Sequence, residues 1–323
     1  LLYLLTEILL DAGDVVIIGH PSYFVFMGAL TSAGVECVSV PLDEQGMRAD
    51  HLEEQLSDLE RTGRLDRLKL IYLMSYYQNP TGITVSDTRR DELMEVVNRF
   101  RARKEFYVVE DAAYRELRYD GPDIRSLKSR DATGEAVCYL GTFSKPFSPG
   151  MKVGYVFLPD ELVEPFVRQK GDHDFGTSNF TQHLLLRALT GGWYDRQVQV
   201  LQARYAAKRD VMLSALDEHL GGVAGVRWIR PSGGLYVWLS LPEHVDTRRG
   251  GALFRRCIDE GVIYVPGDYC FVAQPGQPVP TCHMRLSFGA ADEDAIREGI
   301  RRLGIAIRRT IRGGQEPSTG RAQ

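Results

Sequence analysis

Short apolar runs recur along the first half of the chain, separated by stretches with helical spacing. Strands are predicted over residues 14–18, 35–40, 68–74, 106–110, 137–140 and 153–158, and helices over 23–33, 49–61 and 86–104. The helix at 86 opens on a Ser86 cap and carries Leu93, Val96, Val97 and Phe100 on one face. Its basic end (Arg99, Arg101, Arg103, Lys104) reads as a solvated last turn that suits the helix dipole. Strand–helix alternation of this kind predicts an α/β fold: a mainly parallel, mixed sheet with helices on both faces. One connection breaks the pattern. Residues 140–153 are too few, and too rich in Pro and Gly, for a helical crossover, so the strand at Val153 should run antiparallel. The loop it leaves at the sheet edge holds Lys145.

The second half turns helical over 160–171, 179–189 and 193–219. A smaller α/β unit follows, with strands near 226–230, 235–239, 262–265 and 283–287 and helices over 251–260 and 292–305. These patterns predict a large domain over 1–200, a small C-terminal domain over 201–311 and a disordered tail over 312–323, where apolar periodicity ends. At the start, Leu1, Leu2, Leu4, Leu5, Ile8 and Leu9 form a helix face with no cap before it. The expectation is a chain that begins inside a fold, as a fragment. The segment lacks the basic lead and small-residue cleavage site of a secretory signal.

Composition narrows the function without naming it. A chain of 323 residues can bury a sizeable core, and its net charge of −4 gives no nucleic-acid footprint. No apolar run is long enough to span a bilayer as a helix. The five cysteines (37, 138, 257, 270, 282) are scattered, without a Cys-x-x-Cys pair, which argues against a disulfide framework or a zinc site and suits a reducing cytoplasm. Cys282 and His283 are adjacent but make no ligand set, and no metal is expected.

Ligands of open α/β sheets bind beyond the carboxyl ends of the strands. The residues that follow those ends are coherent: His20-Pro21-Ser22-Tyr23, then Ser75 through Gly82, then Asp111 through Tyr114, then Thr142, Ser144 and Lys145. Hydroxyls, an amide, a carboxylate, phenols and a lysine converge on one rim. No Gly-rich dinucleotide or triphosphate motif occurs. A lysine after an apolar strand, among small polar residues, is placed where a Schiff-base lysine is held and desolvated.

Asn79-Pro80-Thr81-Gly82, Asp111-x-x-Tyr114, Ser144-Lys145 with a basic residue at 152, and Arg285 in Met-Arg-Leu-Ser-Phe together resemble fold-type I pyridoxal-phosphate enzymes. Within these, the chain is similar to class I/II aminotransferases, close to the aromatic/kynurenine/2-aminoadipate branch. Residues 231–238 and 261–267 match the small domain of that family. The resemblance implies that Lys145 forms the Schiff base to pyridoxal 5'-phosphate and then serves as the catalytic base. It implies that Asp111 faces the pyridine nitrogen, that Asn79 and Tyr114 bond the phenolic oxygen and that Tyr23 stacks on the ring. By the same resemblance, Thr142, Ser144 and Lys152 are expected to take the phosphate, and Arg285, with Asn79, to bind the substrate α-carboxylate side. Lys152 stands where the family usually has arginine, replacing a bidentate fork by a point charge. The family's upstream phosphate loop precedes the helix that begins at Leu1, so weak cofactor binding is expected of the segment alone.

The implied activity moves an amino group between an L-amino acid and a 2-oxo acid, in a homodimer. Two alternatives use the same residues: a pyridoxal-phosphate lyase, and an aminotransferase-like effector domain of a winged-helix transcription regulator. Tyr23, Tyr76 and Tyr236 are candidates to line an apolar side-chain pocket, with core packing as the competing reading.

Overall fold

The computed structural model describes residues 1–274 and 276–313. By internal contacts the chain divides into two compact units. The first comprises Leu1–Ala203 with Pro231–Gly234, and the second Arg204–Arg230 with the residues from Leu235 onward.

The first unit runs α1 (Leu2–Leu9), β1 (Val15–His20), α2 (Phe24–Ser32), β2 (Glu36–Asp43), β3 (Gly46–Met47), α3 (Ala49–Arg61), β4 (Leu68–Met74), α4 (Asp87–Arg101), β5 (Tyr107–Asp111), β6 (Val137–Thr142), β7 (Gly154–Phe157), α5 (Asp160–Asp174) and α6 (Asn179–Thr190). α7 (Trp193–Leu220) carries the chain across the unit boundary. The sheet order is β3-β2-β1-β4-β5-β6-β7. Strands β2, β1, β4, β5 and β6 are parallel, while β7 pairs antiparallel with β6, as the short 140–153 connection requires. β3, absent from the sequence expectation, is a two-residue antiparallel return onto β2.

On one side of the sheet, Val15 and Ile17 of β1 and Ile71 and Leu73 of β4 pack with Leu52, Leu56 and Leu59 of α3 and Leu93, Val97 and Phe100 of α4. Burying each of these side chains is worth about 1.5–3 kcal/mol. The leucine stripe of α3 therefore outweighs its uncapped start at Arg48, where a missing cap costs about 1 kcal/mol. α4 does have its cap: Ser86 Oγ accepts from the Arg89 N–H at 3.2 Å. The basic end of this helix is more than a solvated turn. Arg99 pairs with Glu53 and Arg103 with Glu60 (2.7 Å), both on α3, and Arg101 donates to the Glu135 carbonyl at 2.9 Å.

The second unit holds β8 (Arg227–Trp228), β9 (Tyr236–Ser240), α8 (Ala252–Asp259), β10 (Val265–Pro266), β11 (His283–Ser287) and α9 (Glu293–Gly313), with sheet order β10-β11-β9-β8. β8 is shorter than expected, and β10 is both shorter and later, sharing only Val265 with the expected 262–265; each is an edge strand that pairs on one side only. α9 is longer than predicted, since the buried stripe Ile296, Ile300, Leu303 and Ile307 continues past residue 305. Arg312 and Gly313 therefore lie in its last turn, and the rest of the expected tail is outside the described residues. No helix among the described residues is long and apolar enough to cross a membrane.

A fully buried ion pair joins the carboxyl ends of β4 and β5. Arg90 Nη1 lies 3.3 Å from Glu110 Oε1, and both side chains are 0% exposed. Arg90 also donates to the carbonyls of Val85 (3.0 Å), Ser75 (2.8 Å) and Arg125 (3.0 Å). Glu110 accepts from Ser75 Oγ (2.7 Å) and from the N–H groups of Leu127 (2.9 Å) and Lys128 (3.0 Å). Removing one member strands the other in the core. Arg90→Met is expected to lower the unfolding free energy by about 3–5 kcal/mol, read from the urea midpoint; a loss under about 1 kcal/mol would show that the pair does not hold these strand ends.

Candidate active site

The residues expected on the rim come from the ends of β1, β4, β5 and β6, all within the first unit. A cavity of about 950 Å³ opens there, lined in part by Tyr23, Asp111, Thr142, Ser144 and Lys152. Five expected site residues are thus brought together around one space of a size suited to a small ligand.

Asp111 ends β5 and is 7% exposed. Its Oδ2 accepts from the Tyr72 hydroxyl at 3.0 Å and its Oδ1 from the Ala113 N–H at 3.1 Å. Burial pushes its carboxyl above the usual carboxylate range, and the two hydrogen bonds and the charge of Lys145 oppose that shift. Lys145 lies in the turn after β6 and is half-buried rather than fully desolvated. Its Nζ is 5.8 Å from the ring centroid of Tyr114, itself buried.

The β6–β7 connection is shaped by close packing. Gly141 lies opposite Tyr155 in the register, and a Cβ there would fall 2.1 Å from the Tyr155 ring, so glycine is required. Thr142 Oγ1 accepts from the Ser144 N–H at 3.1 Å, folding the turn back on the strand end. Lys152 is exposed and its backbone is left-handed (φ 52°).

Asn79 is 2% exposed, within a loop closed by its own hydrogen bonds. The Gln78 N–H donates to the Ile83 carbonyl (2.8 Å), the Tyr77 N–H to Thr84 Oγ1 (3.1 Å) and Gln78 Nε2 to the Pro21 carbonyl (2.8 Å). Asn79, Tyr114 and Lys145 are not among the residues that line the cavity. Arg285 lies on β11 of the second unit, its guanidinium carbon 4.2 Å from the Tyr236 ring centroid.

Of the three candidate pocket tyrosines, Tyr23 lines the cavity. Tyr76 is instead structural: it is buried, donates to the Ile124 carbonyl at 2.7 Å, and has Arg90 at 4.2 Å and Arg115 at 5.3 Å from its ring. The sequence reading missed Tyr72, the polar tip in an apolar central strand, and left unassigned Thr177, Ser178 and Thr181, which also line the cavity. A lone hydroxyl in the run Leu-Ile-Tyr-Leu-Met was the available signal for Tyr72.

Residues 1–303 match the family model described as aminotransferase class I and II. The chain is 34% identical over 309 residues to aromatic-amino-acid aminotransferase 1 of Thermococcus litoralis, covering 96% of this chain and 70% of that protein. It is 34% identical over 307 residues to the 2-aminoadipate transaminase of Thermus thermophilus, covering 94% and 72%. The crystal structure of a multiple substrate aminotransferase from Thermococcus profundus superposes with a TM-score of 0.89 at 36% identity, covering 97% of this chain and 73% of that one. The chain therefore belongs to the class I and II aminotransferases, pyridoxal-phosphate-dependent enzymes of the α/β fold.

Proposed function

We propose that this aminotransferase acts on L-amino acids with large aromatic or aliphatic side chains, and on the matching 2-oxo acids, through the residues around Asp111 and Lys145. The observation that carries the reading is that Asp111, at the end of β5, and Thr142 and Ser144, which flank the start of the turn that carries Lys145 after the neighbouring β6, border one cavity. The donor chemistry suits pyridoxal phosphate. A buried carboxylate held by two donors suits a protonated ring nitrogen, and two hydroxyls with a lysine suit a phosphate.

When bound, pyridoxal phosphate supplies an electron sink for charge developing at a substrate carbon. Lys145 would hold it through Nζ, and the same amine would be the group that takes the proton from the substrate Cα and returns one. Asp111 would keep the ring nitrogen protonated, Asn79 and Tyr114 would hold the ring oxygen, and Tyr23 would cover the ring. Thr142, Ser144 and Lys152 would take the phosphate, and Arg285 the substrate carboxylate. The relatives' names, aromatic-amino-acid and 2-aminoadipate, support a preference for larger side chains.

The reading extends to assembly and compartment. α5 with the Phe175 that ends it, α6 and the start of α7 expose Val163, Val167, Phe175, Phe180, Leu184, Leu186, Leu189 and Trp193, with Phe180 at 76% and Trp193 at 57%. That much exposed apolar surface on consecutive elements suits burial against a second copy, as a homodimer. Five free cysteines suit the reducing cytoplasm.

Two outcomes are expected. Borohydride reduction of the full-length protein with pyridoxal phosphate should label Lys145; a label elsewhere overturns the assignment. In the same preparation, phenylalanine or leucine should convert the bound cofactor to its amine form, with kcat/KM above that for aspartate. Release of a lyase product, or binding without conversion, would instead favour the lyase or the regulator domain.

Lys152 tests the phosphate side, because a lysine in the left-handed region carries about 1 kcal/mol of backbone strain. Lys152→Gly should raise stability by about that amount in urea while weakening cofactor binding. Lys152→Arg should leave stability unchanged and tighten the cofactor; equal affinity in all three proteins would remove Lys152 from the site. Finally, analytical ultracentrifugation should find a dimer that Phe180→Glu shifts toward monomer.

A further inference from the structure

β4 and β5 run parallel with Met74 opposite Asp111 and Tyr72 opposite Val109. Strand alternation therefore places Tyr72 and Asp111 on one sheet face, with Leu73 and Glu110 on the other. From two positions back on the neighbouring strand, the Tyr72 phenol reaches the carboxylate: its hydroxyl donates to Asp111 Oδ2 at 3.0 Å. The ring is 1% exposed and packs on Phe26, with centroids 4.5 Å apart. Tyr72 does not border the cavity, whereas Asp111 and Phe26 do, so it acts from behind the carboxylate.

We propose that Tyr72 is a positioning residue for the reaction: its hydroxyl holds the Asp111 carboxylate in the orientation and charge state that the cofactor's ring nitrogen requires. The inference rests on the reading of Asp111 as the partner of that nitrogen. Tyr72 on Oδ2 and the Ala113 N–H on Oδ1 are both donors, and a donor to each oxygen favours the carboxylate over the neutral acid. They also fix the plane of the group from two directions, leaving its remaining lone pairs to the cavity. Burial works against the charge and pushes the Asp111 carboxyl up; the charged side chain that faces it is Lys145, from the turn after β6. A phenylalanine at 72 would keep the packing on Phe26 and lose the donor. Oδ2 would then be unpaired in the interior, and a protonated Asp111 would no longer hold a proton on the ring nitrogen.

The test uses full-length protein with the cofactor removed. The Asp111 side-chain carboxyl is followed by carbon-13 NMR titration, assigned with Asp111→Asn, and affinity for pyridoxal phosphate is measured by fluorescence. Tyr72→Phe should raise the Asp111 titration midpoint by about one pH unit and weaken the cofactor about tenfold. 3-Fluorotyrosine at 72, a stronger donor in the same shape, should lower the midpoint. A Tyr72→Phe protein in which neither quantity moves, while Asp111→Asn still weakens the cofactor about a hundredfold, overturns the role of Tyr72 and leaves the ring-nitrogen assignment standing. Unchanged affinity in Asp111→Asn overturns that assignment, and this inference with it.

Discussion

The site depends on a buried ion pair that takes no part in the chemistry. Arg90 and Glu110 meet where β4 and β5 end, and their hydrogen bonds gather the first turn of α4, the start of the 75–82 loop and the 125–128 segment. A buried pair of this kind adds little net stability over an apolar substitute, because desolvation offsets most of the Coulomb energy. What it supplies is geometry. Arg90 has several carbonyl and carboxylate acceptors and Glu110 several donors, so neighbouring arrangements would leave a buried polar group unpaired.

Glu110 and Asp111 are adjacent, and strand alternation sends them to opposite faces. The structural carboxylate is locked on the α4 side, while its neighbour is presented to the cavity. Any slip of β5 that moved Asp111 would also pull Glu110 from Ser75, Arg90, Leu127 and Lys128. The same cluster fixes Ser75, whose carbonyl accepts from the Val85 N–H at 3.0 Å and so helps close the loop that carries Asn79. Two of the residues proposed to grip the cofactor ring are thus placed by one anchor.

Much of this was legible in the sequence, for reasons particular residues make clear. Buried parallel strands read as apolar runs, and Asp111, Thr142 and Ser144 stand out because they follow such runs. The antiparallel β7 was legible from the length of its connection. The Arg90–Glu110 pair and Tyr72 were not: Arg90 sits in a helix full of charges, Glu110 looks like a strand end, and Tyr72 passes for an aromatic core residue. Their partners lie 20 and 39 residues away, and only the strand register brings them into contact. The edge strands β8 and β10 were overdrawn because strand pairing needs a neighbour, which an apolar run does not record; Ile263, in the run before β10, is 75% exposed.

The two ends of the proposed cofactor site differ physically, and the difference bears on how the enzyme works. At the Asp111 end the carboxylate lies almost wholly out of water, where a charge interacts strongly with a partner and a misplaced donor is costly. At the Lys152 end the ammonium is exposed, and water and salt screen it. On the proposed assignment, control over the ring's electronic character would belong to buried groups whose positions are fixed by the strands. The grip on the phosphate would rely on loop-borne groups and be the more sensitive to salt. Substitutions at the buried end should change what the cofactor can do, and substitutions at the exposed end how long it stays.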